Sequence, residues 1–445
     1  MQDWAGWLLM LFSFAIVLMW KHVRSDTKVV HAIWFCMVLH HIVAIFNAYV
    51  GTVIGADQDA NSFHMLGVDL ATIPVVYEYA NDAIVGVPGV HYIDLHLTYI
   101  PGHSHTFLEM LGSFTTGLFT YTHLLGFFYS IFGASLLLGE ELSVFAFTLS
   151  CVVLVKLVDL INLRHFRVGI VLLFGLLPSA VIFRSVTLRE SWQALFFLLS
   201  VYWAIRLWRR PDILIILFML MSTICLALLH NGLKLYIIYF LLISFYWGIF
   251  VRKKGVRWAR HIRFLFFGLL AVCVIIMAQK LGWYATPGEA LEGVEVYRQN
   301  LATIPGRTTY GVVLDTSSVL GLVKTIPIIF AQYMFAPFPW QVGNVMDVNA
   351  LLESMLRIMF LIFAVSSWRR SSGEVRSYYG FLLIIYLGME FMWALGTINW
   401  GTATRHHVLG YSVIVLLGVP GFILFMQKLH FRMFGCRKDS TMLPK

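Results

Sequence analysis

The sequence predicts an all-α fold: a polytopic integral membrane protein of about 11–13 transmembrane helices with a large first extracytoplasmic loop. Three observations predict it. Of 445 residues, 59% are hydrophobic and only 12% are charged, half the roughly 25% charged share of soluble domains. Apolar runs near the roughly 20-residue length of a membrane span recur almost from end to end. The basic residues cluster between those runs: 22 of the 32 Lys and Arg lie in Lys21–Lys28, Arg164–Arg167, Arg206–Arg210, Arg252–Arg263, Arg369–Arg376 and from Lys428 onward.

The first apolar run, Trp4–Trp20, lacks a basic leading region and a small-residue cleavage site, so it is expected to be retained as a span. The second runs roughly from Val30 to Thr52. Further spans are expected at Leu124–Leu138, Ser143–Ile161, Val168–Phe183, Trp192–Leu207, Ile213–Leu229, Leu233–Val251, Phe264–Gly282, Leu351–Trp368, Tyr378–Gly396 and Val408–Met426. The stretch Val319–Phe338 is interrupted by Lys324, Pro327 and Pro337, with Pro339 just beyond. It reads as a broken helix or a re-entrant segment, since irregular backbone at membrane depth must face protein or water. Residues 1–445 thus form one membrane domain, with outer segments at 56–106 and 283–350 and a basic tail at 428–445.

Basic connectors stay on the cytoplasmic side, which orients the chain as a multi-pass protein of the cell membrane. The outer set is then 56–106, Arg184 to Glu190, His230-Asn231, 283–318 and Asn399 to His407. Parity is violated once. Two spans are drawn between the outer 56–106 segment and the inner Arg164 connector, where an odd number is required. Either residues 107–123 form another crossing or Leu124–Leu138 dips in and returns.

The net charge of +9 is a topology signal whose natural partners are anionic membrane lipids. Without a soluble basic domain or an aromatic platform, it implies no nucleic-acid role. Cys36, Cys151, Cys225 and Cys273 fall within apolar runs and Cys436 in the tail, so no disulfide framework is implied. Zinc-type cysteine spacing, a Gly-rich phosphate loop and Gly-x-Ser-x-Gly are absent from the sequence. No internal repeat, and no inverted pair of halves of the transporter kind, is evident.

The chemistry-bearing residues gather on the outer side. Asp57 and Asp59 follow directly on the second span, where an ionised carboxylate serves as a general base or a divalent-metal ligand, or simply as a solvated helix cap. Pro178 breaks or ends a helix ahead of Arg184, Arg189 and Glu190. Arginines on the outer side suit a phosphate-bearing ligand, because guanidinium pairs with phosphate in bidentate fashion. An internal ion pair of Arg189 with Glu190 or Glu140/Glu141 reads equally well. In Asn399-Trp-Gly-Thr-Ala-Thr-Arg-His-His407, Arg405 beside His406 is a further phosphate candidate, or a snorkelling interface anchor beside Trp400. Arg298 and Arg307 in the later outer loop join the phosphate candidates.

Histidines crowd the first outer segment: His64, His91, His96, His103 and His105, with Asp94 and Glu109 nearby. His103-x-His105 with Glu109 has the donor types of a metal site but no fixed third ligand, so interfacial histidines account for it better. His40 and His41 lie mid-span, where polar groups face the bundle interior. Lys156 with Asp159, and Glu353 with Arg357, are spaced as helix-face ion pairs.

Three of these segments, in order, resemble the membrane glycosyltransferases of the GT-C superfamily and the related (O-antigen-type) polymerases of surface polysaccharide. The first is Asp59-Ala-Asn-Ser-Phe-His64. The second is the turn from Pro178 and Ser179 to Leu188, Arg189 and Glu190, and the third contains Asn399, Gly401, Thr402 and Arg405. Pro337-Phe-Pro-Trp340 ahead of Glu353 is similar too. The resemblance implies a polyprenyl-phosphate- or polyprenyl-diphosphate-linked sugar donor, a glycan or lipid-linked acceptor and, in some relatives, a divalent metal ion. Carried over by position, Asp59 would deprotonate the acceptor hydroxyl with Asp57 in support. Arg405 and Arg189 would neutralise the leaving phosphate, and His64, Glu190, Asn399 and His406 would line the substrate. The chain departs from some relatives in lacking a tandem Asp-Glu; its two acids are split by Gln58. A flippase or transporter of lipid-linked oligosaccharide is the reading from outside the enzyme class, but it predicts an inward polar pathway rather than outer polar segments.

Overall fold

The computed structural model describes residues 3–51, 57–72, 117–248, 292–296, 298–299 and 306–434. These form a helical bundle without a β-strand; the extended pairing among the described residues is a single antiparallel bridge between Thr309 and Asn399. In chain order the helices are α1 (Trp4–Met19), α2 (Lys21–Arg24), α3 (Thr27–Val50), α4 (Asp57–Thr72), α5 (Gly117–Phe132), α6 (Leu136–Leu160), α7 (Arg167–Leu176) and α8 (Pro178–Arg184). They continue with α9 (Glu190–Arg209), α10 (Ile213–Leu228), α11 (Asn231–Tyr246), α12 (Val319–Phe335), α13 (Val345–Arg370), α14 (Gly373–Gly396) and α15 (Trp400–Phe434).

Five of these, α3, α6, α13, α14 and α15, are long and apolar enough to cross a bilayer alone, and the bent pair α7/α8 makes a sixth. Four shorter apolar helices, α1, α10, α11 and α12, accompany them. This is a multi-pass, all-α membrane protein. The expected span Phe264–Gly282 lies outside the described residues.

Boundaries follow local chemistry. Ser135 caps α6 by accepting from Leu138 N at 3.3 Å, and Asp212 caps α10 by accepting from Leu214 N at 2.9 Å. Asn344 and Asp347 cap α13 reciprocally, each side chain accepting from the other's backbone N–H at 2.9 and 3.2 Å. Helix α3 stops at Gly51, whose φ of +79° lies in the left-handed region that glycine tolerates. At Leu177–Pro178 the helix turns by 64°, as expected where proline removes a donor. The freed Ser179 N–H is taken up by Glu353 Oε1 at 2.7 Å.

The connectors meet by charge. Arg167 holds Asp159 at 2.6 Å and Asp26 at 3.5 Å, and Arg209 reaches the Tyr378 hydroxyl at 3.1 Å and the Leu160 carbonyl. Lys156, expected to pair with Asp159, instead lies 3.7 Å over the Trp20 ring, because Arg167 already occupies the acid. The opposite end gathers the start of α1 and the end of α3, joined by Asp3 and Tyr49 at 3.1 Å, with the cap of α6, where Ser135 donates to Asp3 at 2.5 Å.

One of the two drawn spans does not form as expected, while residues 107–116 of the alternative crossing lie outside the described residues. The expected crossing Leu124–Leu138 is not one helix. Gly133, at φ +89°, breaks it, and α5 ends against the start of α1, with Phe132 6.0 Å from Trp4. Helix α5 packs on α4 through Gly67 and Gly126, where an added Cβ would stand 2.8 Å from Leu125 and from Leu70. Between the first outer segment and the Arg164 connector, α6 is then the one long apolar helix among the described residues.

Within Val319–Phe338 the structure has one short apolar helix. Helix α12 runs through Pro327 and ends beside the third and fourth turns of α13, not at either end of the bundle. Its last carbonyls are taken by side chains: Tyr333 by His407 at 3.0 Å, Met334 by Arg357 at 2.9 Å and Phe335 by Ser354 at 2.8 Å. Arg357 does not pair directly with Glu353, as its spacing suggested. The two meet through the Tyr411 hydroxyl, which donates to Glu353 at 2.5 Å and accepts from Arg357 at 3.3 Å.

Candidate functional site

The site is built on the first turns of three helices. Asn399 caps α15, accepting from Thr402 N at 2.7 Å, so the segment expected as a connector is already helical from Trp400. Arg405 therefore sits in the second turn, just after the inward-facing Trp400 and Ala403. It donates through Nε to Glu190 Oε1, the first residue of α9, and through Nη1 to Asp59 Oδ2 in the first turn of α4. The two acids differ in setting: the Glu190 side chain is 4% exposed, that of Asp59 58%. One guanidinium thus joins a fixed interior carboxylate to one that meets water. Arg189, ahead of Glu190, lies 5.5 Å over the Phe63 ring of α4.

A ring layer flanks the triad. His406 pairs with the Thr397 hydroxyl at 2.9 Å and stacks on Trp393 at 4.0 Å between ring centres. His230 caps α11 by accepting from Gly232 N at 3.0 Å and packs edge-on against Trp393 and His406 at 4.6 and 6.0 Å. Burial first, then the nearby Arg189 and Arg405, hold its imidazole well below the usual range. His64, one turn beyond Asp59, bonds the Tyr129 hydroxyl at 2.9 Å, and burial lowers its imidazole as well.

The remaining candidates divide. Asp57 opens α4, but its side chain lies outside what the structure describes. His91, His96, His103, His105, Asp94 and Glu109 also lie outside the described residues. Arg184, expected as a phosphate ligand, is instead fully buried, donating to the carbonyls of Val408 at 2.8 Å and Phe174 at 3.3 Å and resting 4.1 Å over the Phe174 ring. Arg298 is likewise a staple. It is buried and donates to Ala394, Leu395 and Thr397 carbonyls at 3.0–3.1 Å, closing the end of α14, and to Val312 at 3.1 Å. Arg307 pairs with buried Asp347, which also accepts from Trp400 Nε1 at 3.0 Å. Asn399 works as a cap and as one half of the Thr309 bridge. Backbone carbonyls thus engage Arg184 and Arg298, and a buried acid engages Arg307.

The acids of α6, read from the sequence only as partners for Arg189, take other places. Glu141 accepts from His41 Nδ1 at 2.7 Å, and Glu140 is buried beside it. His40 donates to Gly175 O at 3.0 Å and accepts from Ser185 at 3.1 Å, in keeping with the interior placement expected of both histidines. The available signal was the pair of adjacent carboxylates inside an apolar run, which demands partners. Neither a family model, nor a curated protein, nor a solved structure matches this chain.

Proposed function

We propose that this protein is a membrane glycosyltransferase that takes a polyprenyl-phosphate- or polyprenyl-diphosphate-linked sugar at the outer face of the cell membrane and assembles a cell-surface glycan. The observation that carries the reading is the shared guanidinium: Asp59 and Glu190, from distant segments, both bind Arg405. Glycosyl transfer needs a base for the acceptor hydroxyl and a cation for the departing phosphate. Asp59 is exposed enough to meet an acceptor, and Arg405 is fixed by Glu190.

The two roles are coupled in this arrangement. A phosphate arriving at Arg405 competes with Asp59 for one guanidinium, and the carboxylate so released is the base. The acceptor oxygen then bonds to the anomeric carbon, and the carbon–oxygen bond to phosphate breaks. The hydroxyl proton passes to Asp59, and Arg405 with Arg189 takes the charge left on the phosphate.

The test is product formation by purified protein supplied with lipid-linked sugars. Asp59→Asn at unchanged expression abolishes the product; normal product from that variant overturns the reading. Single added sugars identify a transferase, and a ladder identifies the polymerase form of the same chemistry. Translocation without a new glycosidic bond replaces both with a transporter.

A further inference from the structure

The basic end of the bundle carries two cations that the surrounding acids do not match. Lys156 lies one turn before the end of α6 and Arg206 in the last turn of α9, on the side of the Arg164–Arg167 connector. Asp159, the acid nearest Lys156 in the chain, is held by Arg167 and approached by Arg164 at 3.8 Å. Lys156 rests half-buried on the Trp20 ring instead. Arg206 is exposed, lies 5.6 Å over the Trp203 ring and donates to the Tyr202 hydroxyl at 2.7 Å. Among the described residues, neither cation pairs with an acid. Helices α6 and α9 pack side by side, and the charge of Arg206 bears on Lys156.

The surface leading to this pair is apolar and open. Between Leu137 and Val158, α6 is buried except at Phe145, Leu149 and Lys156, whose spacing of four and seven puts them on one helix face. On α9 the partly exposed residues Phe196, Leu199 and Trp203 likewise lead to Arg206. Each helix therefore offers one narrow apolar stripe to its surroundings, and each stripe ends on a cation at the same end of the bundle.

That outline describes a ligand. An apolar chain fits the stripes, and an anionic group fits their end. Two like charges held close repel each other, and a ligand of net negative charge relieves that repulsion. A zwitterionic headgroup relieves it less, because it brings a cation of its own. Basic pockets between membrane helices on the cytoplasmic side bind acidic headgroups by this logic.

We propose that Lys156 and Arg206 form a binding site for one acidic phospholipid of the cytoplasmic leaflet, with its phosphate on the two cations and its acyl chains along the stripes of α6 and α9. The site lies about 24 Å along α9 from Glu190, at 1.5 Å per residue. It does not depend on the transferase reading.

The experiment uses the full chain in nanodiscs of phosphatidylcholine containing phosphatidylglycerol with the same acyl chains. Native mass spectrometry counts the lipids that stay bound on release. One phosphatidylglycerol should be retained saturably, in preference to phosphatidylcholine by about tenfold or more, the scale of two basic contacts to an anionic headgroup. Lys156→Gln with Arg206→Gln should remove that preference. Arg369→Gln with Arg370→Gln takes the same charge from exposed positions at the end of α13 and should leave it unchanged. Arg206→Gln alone, at an exposed position, decides the matter if the double variant fails to fold, and should lower retention by about threefold or more. Equal retention of both lipids, retention that never saturates, or retention undiminished in these variants overturns the site. So does an equal loss in the α13 variant, which would mark a general charge effect. Stronger retention of a polyprenyl phosphate at the same mole fraction overturns the assignment to a phospholipid.

Discussion

Arg405 and Asp59, 346 positions apart in the chain, form one ion pair, and Glu190 completes it from a third helix. The pairing depends on a fork: Nε and Nη1 of a single guanidinium serve two acids at a fixed angle. A lysine ammonium, a point charge on a flexible stem, does not reproduce that geometry. Arg405→Lys is therefore expected to cut product formation by at least about tenfold, equivalent to about 1.4 kcal/mol of transition-state stabilisation. Initial rates on lipid-linked donor at matched protein levels check it.

Arg298 offers the contrasting case. Its guanidinium closes the end of α14 and binds no acid among the described residues. Arg298→Met is expected to destabilise the fold by about 3 kcal/mol, the scale of lost charged hydrogen bonds that leave buried carbonyls unmet. It should leave turnover per folded molecule unchanged at a permissive temperature. Thermal unfolding and specific activity, measured on the same preparation, separate these effects.

Asp347 makes a separate prediction about the later outer loop. It caps α13 and accepts from Arg307, Gly343 N at 2.9 Å and Trp400 Nε1 at 3.0 Å. Asp347→Ala should cost about 2 kcal/mol through the cap alone. It should also loosen the start of α15, read as faster hydrogen exchange across Trp400–Arg405.

Two histidines set an acid limit. His64 and His230 are both held below the ordinary imidazole value of 6.5, chiefly by burial. The unfolded chain therefore binds the extra protons first as pH falls. Their stabilising contribution is complete above about pH 6.5 and is lost as pH falls through the folded values. The unfolding midpoint should drop between about pH 7 and 5. His230→Asn, which keeps an N-cap but removes the titrating ring, should flatten that slope.

The class of the fold and the grouping of basic connectors were legible because both depend on composition along the chain. That Asp59 and Arg405 belong together was legible from their shared side and the family pattern; that Glu190 completes the group was not, since it read as a partner of Arg189. Arg184, Arg189 and Arg298 carry the same charge in the sequence, yet carbonyls close Arg184 and Arg298 into the fold while Arg189 lies over Phe63. Partner choice of that kind is set by residues hundreds of positions away. Thr187 escaped notice for the related reason that Gly139, a residue without a side chain, is what lets it and Tyr129 pack against α6. Asn399–His407 was misread locally, since a polar run beside a span looks like a loop until Asn399 is recognised as a cap.

The bend at Leu177–Pro178 acts as a depth gauge. Seven residues of straight helix advance about 10 Å along their axis. After a turn of 64°, the Pro178–Arg184 segment gains less than half of that along the original direction. The chain thus reaches Thr187 and Glu190 while still inside the bundle, and the following helix starts from there. A straightened variant, with Pro178 replaced by alanine, would lift that whole strip toward water. It would carry the inner carboxylate away from its guanidinium without altering either residue.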